Sequence, residues 1–132
     1  MTPAQAPRAP TARAIEALYA TGHWLLSQER IAQAAVVFRA MIHVAPQDER
    51  GWLALGACHE AREQHSIALE LYGAAAEVTR AAPRCHLARA RILRARGLTV
   101  EASEAIDYAA VLAEKIHDAD LQSLVDIERS RA

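Results

Sequence analysis

Laid against itself at a shift of 34 residues, the chain repeats. Ala34, Ala68 and Ala102 coincide, and so do Phe38, Tyr72 and Ile106. Gly22, Gly56 and Ala90 form a third row, Met41, Ala75 and Ala109 a fourth, and Leu18 falls on Trp52. A fixed period of this length marks a stack of like units, none of which can bury its hydrophobic face alone. The units run over about 15–48, 49–82 and 83–116.

Inside a unit the spacing is helical. In the segment GWLALGAC and just beyond it, Trp52, Leu55, Gly56 and His59 fall at i, i+3, i+4 and i+7, on one helix face. Gly56 is small because the second helix of the unit crosses there. Ala68 is small for the reciprocal reason, and Tyr72 and Ala75 complete the second face. Two helices per 34 residues with this small–large pattern define the tetratricopeptide repeat. Composition agrees: 52% of the residues are apolar, alanine leads among them, and glycine and proline number five each. The expected helices are 13–27, 30–44, 49–62, 65–79, 84–96, 99–113 and 118–130. Pro46 and Pro83 lie at helix starts, where proline is tolerated. Gly97 reads as a C-terminal cap following Arg94 and Arg96, and Thr99 as an N-cap. Leu121, Leu124, Val125 and Glu128 make one stripe on a last helix, the cap that a repeat stack needs. The expected fold is all-α: three repeats plus a C-terminal capping helix, a short right-handed solenoid forming one domain over 13–132. Residues 1–12, MTPAQAPRAPTA, read as a disordered lead-in.

Several function classes are excluded on the same residues. Net charge is −1, so nothing drives the whole chain toward nucleic acid or an anionic surface. The run RCHLARARILRAR holds Arg84, Arg89, Arg91, Arg94 and Arg96, but Arg89 and Arg96 point away from the others and no aromatic residues interleave to stack bases. The histidines at 23, 43, 59, 65, 86 and 117 include no i, i+4 pair for a helical zinc site, so no metal is expected. Cys58 and Cys85 form no CxxC and read as reduced, buried thiols. There is no nucleophile elbow or phosphate loop, so neither catalysis nor a cofactor is expected. The N-terminus lacks the apolar core of a secretory signal, and no run approaches a membrane span. The expected location is the cytoplasm.

The first helix of each hairpin lines the inner side of such a solenoid. On helix 49–62, Arg50, Leu53, Ala57 and Glu60 centre about a third of a turn from the packing face. Their equivalents are Glu16, Tyr19, His23 and Leu26 in the first unit and Arg84, Leu87, Arg91 and Arg94 in the third. The row begins aromatic, continues through Leu53 and Leu87, and ends cationic. An amphipathic groove with apolar pockets suits an extended peptide. Arg84, Arg91 and Arg94 converge without a carboxylate on their own helix; Glu101, Glu104 or Glu60 could pair with them, or they could guide or clamp acidic residues or backbone carbonyls of a bound segment.

From Leu18 to Gly97 the chain also resembles the tetratricopeptide chaperones of type III secretion, the class II chaperones of the pore-forming translocators. The landmarks are Leu18-Tyr19, Ala34 with Val37-Phe38, Leu53-Ala-Leu-Gly-Ala-Cys58, Gln64 and Ala68 leading to Tyr72, Ala82-Pro83-Arg84, and Gly97 with Glu101-Ala102. The resemblance implies a partner: an extended segment, spaced like Pro-x-Leu-x-x-Pro, near the N-terminus of a hydrophobic translocator. By position, Tyr19, His23, Leu53, Ala57 and Leu87 would take it. Family members usually carry a longer N-terminal helical extension used for dimerisation. Here about a dozen proline-rich residues stand in its place, which leaves open a homodimer by that route. The alternative reading is a scaffold that joins folded partners in a secretion or envelope complex.

Overall fold

The computed structural model describes residues 11–131, and the expected lead-in over residues 1–10 lies outside them. Within the described residues the chain forms seven helices and no strand: α1 (Ala12–Ser27), α2 (Ile31–Val44), α3 (Glu49–Ala61), α4 (His65–Val78), α5 (Pro83–Ala95), α6 (Thr99–Lys115) and α7 (Ala119–Ser130). Each helix packs on the next. The odd-numbered helices also touch one another in series, α1 on α3, α3 on α5 and α5 on α7, whereas α2, α4 and α6 do not meet. The stack therefore closes on its odd side and splays on its even side. It is a helical solenoid with α1, α3, α5 and α7 on the inner face.

The 34-residue rows are hairpin contacts. A Cβ added at Gly22 would collide with the Phe38 ring, and one added at Gly56 with the Tyr72 ring. In both units the ring, sixteen residues on, fills the space a side chain would need. The third unit substitutes both partners together: Ala90 replaces the glycine and Ile106 the ring, and both are buried. A mid-helix glycine costs about 1 kcal/mol relative to alanine, which the buried ring offsets. Phe38, Tyr72 and Met41 are among the largest wholly buried side chains.

The turns inside the hairpins repeat too. Glu29, Glu63 and Gly97, each 34 residues from the next, have φ of 59°, 59° and 78°. Around Gly97, the Leu98 N–H donates to the Leu93 carbonyl and the Gly97 N–H to the Arg94 carbonyl, each at 2.9 Å. That is the paired bonding that ends a helix on a left-handed residue, as the sequence predicts for Gly97. Thr99 is not the N-cap. The tight turn makes Leu98 the capping residue, without a side-chain bond, and Thr99 is already the first residue of α6. At the other end, Thr11 caps α1 by accepting from the Ala14 N–H at 3.1 Å, so Thr11 and Ala12 belong to the folded unit and not to the lead-in.

The two ends of the stack differ from its middle. Gly51, Ala54 and Cys58 of α3, and Cys85, Ala88 and Ile92 of α5, are buried. The equivalent face of α1 has no preceding repeat, and Trp24 stands exposed where Cys58 is covered, with the Arg30 guanidinium 5.9 Å from its ring centre. In α7 the 34-residue shift would bury Ala119, Gln122 and Asp126. Instead Leu121, Val125 and Glu128 are buried, and Leu121 and Val125 pack with Leu87, Leu93 and Ala102. The last helix is turned by one residue, about 100°, relative to the repeat register.

Two outcomes test this packing. Gly22→Ala should lower stability by about 1–3 kcal/mol in urea unfolding, as overpacking does. Adding Phe38→Ile should cost less in that background than in the wild type, because the pair then imitates Ala90 and Ile106. Equal costs in both backgrounds would mean the ring does not occupy the glycine's space. Cys58 and Cys85 are buried, and burial pushes both thiols upward in pKa. Both should resist a thiol reagent at pH 8 in the native protein and react promptly in denaturant.

Candidate peptide-binding groove

The inner face holds a cleft of about 230 Å³ whose floor and walls are Leu53 and Ala57 of α3, Leu87 of α5 and Leu124 of α7. Arg84, Arg91 and Glu128 border it, and the Tyr72 ring closes its base. Five of the positions expected from the sequence thus meet around one cavity: Leu53, Ala57, Arg84, Leu87 and Arg91. Their accessibility differs. Ala57 is exposed and Leu53 half-buried, while Leu87 is buried because α7 packs onto it. Leu87 is floor, not a free groove residue. Leu124 was not among the expected residues. The rotation of α7 turns it inward, 41% exposed, with Ile127 one turn further along the same helix.

The first unit contributes a separate aromatic group. The Tyr19 and His23 rings lie edge to face at 4.5 Å, and His23 meets the Phe38 ring at 5.4 Å. Leu26 is half-buried against the core of the first hairpin. These three do not line the cleft between α3, α5 and α7.

Most of the charged groups in the row are already engaged. Arg50 forks onto Glu16 at 2.7 and 3.1 Å, reaches Asp48 at 2.8 Å, and lies 4.5 Å from the Tyr19 ring centre. Its hydrogen bonds hold the Glu16 and Asp48 carboxyls below the usual range. Glu60 accepts from the Tyr72 hydroxyl, which ties it to the partner helix of its own hairpin. Burial and this bond raise the pKa of the Tyr72 hydroxyl.

Arg84 lies 3.4 Å from Asp118 and 4.0 Å from Glu49. Asp118 caps α7 by accepting from the Leu121 N–H, and this bond, with Arg84, holds its carboxyl low. Glu49 accepts from the Cys85 N–H at the start of α5, yet burial pushes its carboxyl up. Arg94 reaches Glu128 twice, 2.9 Å to its carbonyl and 3.4 Å to its carboxylate. Arg131 adds a second bond to that carboxylate at 3.1 Å.

The counter-charges for the arginine row therefore come from α7 and α3. Glu101, Glu104 and Glu60 do not pair with it. The reason is again the turn of α7, which buries Glu128 to 5% exposure beside Arg94. Arg96, as expected, points elsewhere, to Ser66 on α4 at 2.8 Å. Among the described residues no group of histidine, cysteine and acidic side chains could hold a metal ion, and no helix is long and apolar enough to cross a membrane.

Fold and cleft together define a three-repeat tetratricopeptide stack with an apolar inner pocket. The chain has the fold of the translocator chaperones of type III secretion. It is similar to the translocator chaperone SycD of Yersinia enterocolitica, at 26% identity and a TM-score of 0.76 over 88% of this chain and 87% of that one. It is similar to PcrH of Pseudomonas aeruginosa at 25% identity and a TM-score of 0.74, over 92% of each chain. PcrH in complex with the chaperone binding region of PopB matches at 25% identity and a TM-score of 0.73, over 92% of this chain and 99% of that one. No protein-family model matches the chain, and no curated protein does.

Glu128→Gln should lower stability by about 1–3 kcal/mol, the worth of hydrogen bonds to a buried charged group, since it leaves Arg94 and Arg131 facing a neutral amide. Chemical denaturation of the purified variant measures it. An unchanged midpoint would mean that the arginines do not depend on this carboxylate.

Proposed function

We propose that this chain is a type III secretion chaperone. Its inner groove holds an extended segment near the N-terminus of a hydrophobic translocator and keeps that client from aggregating in the bacterial cytoplasm before export. The working unit is the single repeat domain that starts at the Thr11 cap of α1, and it acts by binding, without a cofactor and without catalysis. The observation that carries the reading is the apolar cleft among Leu53, Ala57, Leu87 and Leu124, on the inner face of a fold shared with a chaperone solved in complex with the chaperone binding region of PopB. A pocket of this kind takes one bulky apolar side chain of an extended peptide, and backbone groups on either side remain free to bond. Tyr19, His23 and Leu26 extend the groove toward the first repeat.

Leu53 is a compromised probe of this groove, because it also packs against the core around Tyr72 and Cys85. Ala57 is exposed at the cleft. Ala57→Glu should therefore keep the wild-type melting temperature. It should weaken binding of a translocator N-terminal peptide by about tenfold or more, the loss typical of a central contact. Calorimetry with a peptide from a translocator encoded in the same genome decides it. Wild-type affinity in this variant would move the binding face away from the cleft.

A further inference from the structure

Arg91 differs from every other arginine of the inner face. Arg50, Arg84 and Arg94 each donate hydrogen bonds to carboxylates. Arg91 donates none among the described residues. Its nearest carboxylate oxygen, on Glu128, lies 3.9 Å away. That oxygen already accepts from Arg131 at 3.1 Å, and the other oxygen of the same carboxylate from Arg94. Glu128 is thus committed to other donors. The Arg91 side chain is 46% exposed. It stands on the wall between two clefts: the apolar one with Leu53 and Leu124, and a second of about 320 Å³ bordered by Glu60, His65 and Arg96.

We infer that Arg91 reads an acidic residue next to the apolar anchor of the bound segment. The inference rests on the chaperone reading and adds to it the chemistry of the segment: a bulky apolar side chain seated over Leu53, Ala57 and Leu124, with an aspartate or glutamate beside it in the chain. A planar guanidinium with unused donors takes a carboxylate through two parallel bonds. Occupying it requires no break in an existing hydrogen bond, because Arg91 makes none. The same approach to Arg84 or Arg94 would have to displace Asp118 or Glu128. A basic residue at that place in the segment meets Arg91 and Arg84 together and is rejected, so Arg91 sets specificity among segments with the same apolar anchor.

The test uses four synthetic peptides with a Pro-x-Leu-x-x-Pro core, flanked by serines and labelled for fluorescence anisotropy. At the position after the leucine they carry Glu, Gln, Lys or Ser. Wild-type protein should bind the Glu peptide at least about threefold more tightly than the Gln peptide, the gain of one charge-assisted bond, and the Lys peptide most weakly. Arg91→Gln should lose the preference for Glu and bind the Glu and Gln peptides alike. Arg91→Glu should invert the order and favour Lys. Ala57→Glu should lose all four. Equal affinities for Glu and Gln in the wild type, or an unaltered preference in Arg91→Gln, would overturn the inference and leave the chaperone reading intact. Wild-type protein that binds none of the four, nor a translocator N-terminal peptide, would overturn both.

Discussion

The structure depends on one close contact, repeated: a ring seated in the space where the facing helix lacks a side chain. At Gly22 with Phe38 and at Gly56 with Tyr72 the two helices of a hairpin come together on this fit. Approach at that distance brings the flanking alanines, Ala34 and Ala68, into the core with no exposed surface. The third hairpin reaches the same end with Ala90 and Ile106, a larger residue facing a smaller one. Interiors are packed near crystal density, so either both partners of such a pair change or neither does. Three hairpins of one shape then stack in one way. The contact series through α1, α3, α5 and α7 follows, and with it the inner face.

Charge along that face is arranged by the same period. Glu16, Arg50, Arg84 and Asp118 occupy one position in successive units, acidic at the two ends and basic in the middle. Arg50 pairs backward with Glu16 and Arg84 forward with Asp118, each across 34 residues. At the far end of the same row, Arg94 pairs with Glu128 across the same interval. The partly exposed Arg50–Glu16 and Arg84–Asp118 pairs contribute little stability, about 0–1 kcal/mol each. Their effect lies in what they leave. With Arg50, Arg84 and Arg94 held by neighbouring repeats, the cleft is apolar at its floor and Arg91 is the arginine on its rim that makes no hydrogen bond among the described residues.

The last helix explains where the arrangement departs from the repeat. The inner helices α3 and α5 are each clamped between a preceding and a following hairpin, so their rotation is set from both sides. Among the described residues α7 packs on α5 and α6 only. It is free to choose the face that buries the most apolar surface, and Leu121 with Val125 is that face. The choice covers Leu87, draws Glu128 in beside Arg94 and Arg131, and presents Leu124 to the groove.

How much of this was legible in the chain itself follows from what a period can encode. Helix positions, the role of Gly56, the left-handed turn at Gly97 and the inward course of Leu53, Ala57, Arg84 and Arg91 are local or repeat with spacing 34, so they stand in the sequence. The family resemblance through Leu53-Ala-Leu-Gly-Ala-Cys58 and Ala82-Pro83-Arg84 is of the same kind. Glu29 and Glu63 adopt the left-handed turn without glycine, and only the alignment with Gly97 marks them. Thr99 looked like a cap because its residue type favours one, but the turn's bonding placed Leu98 there first. The rotation of α7, the commitment of Glu128, the burial of Leu87 and the entry of Leu124 into the cleft were decided by tertiary structure alone. They arise where the repeat ends and no equivalent position remains to compare.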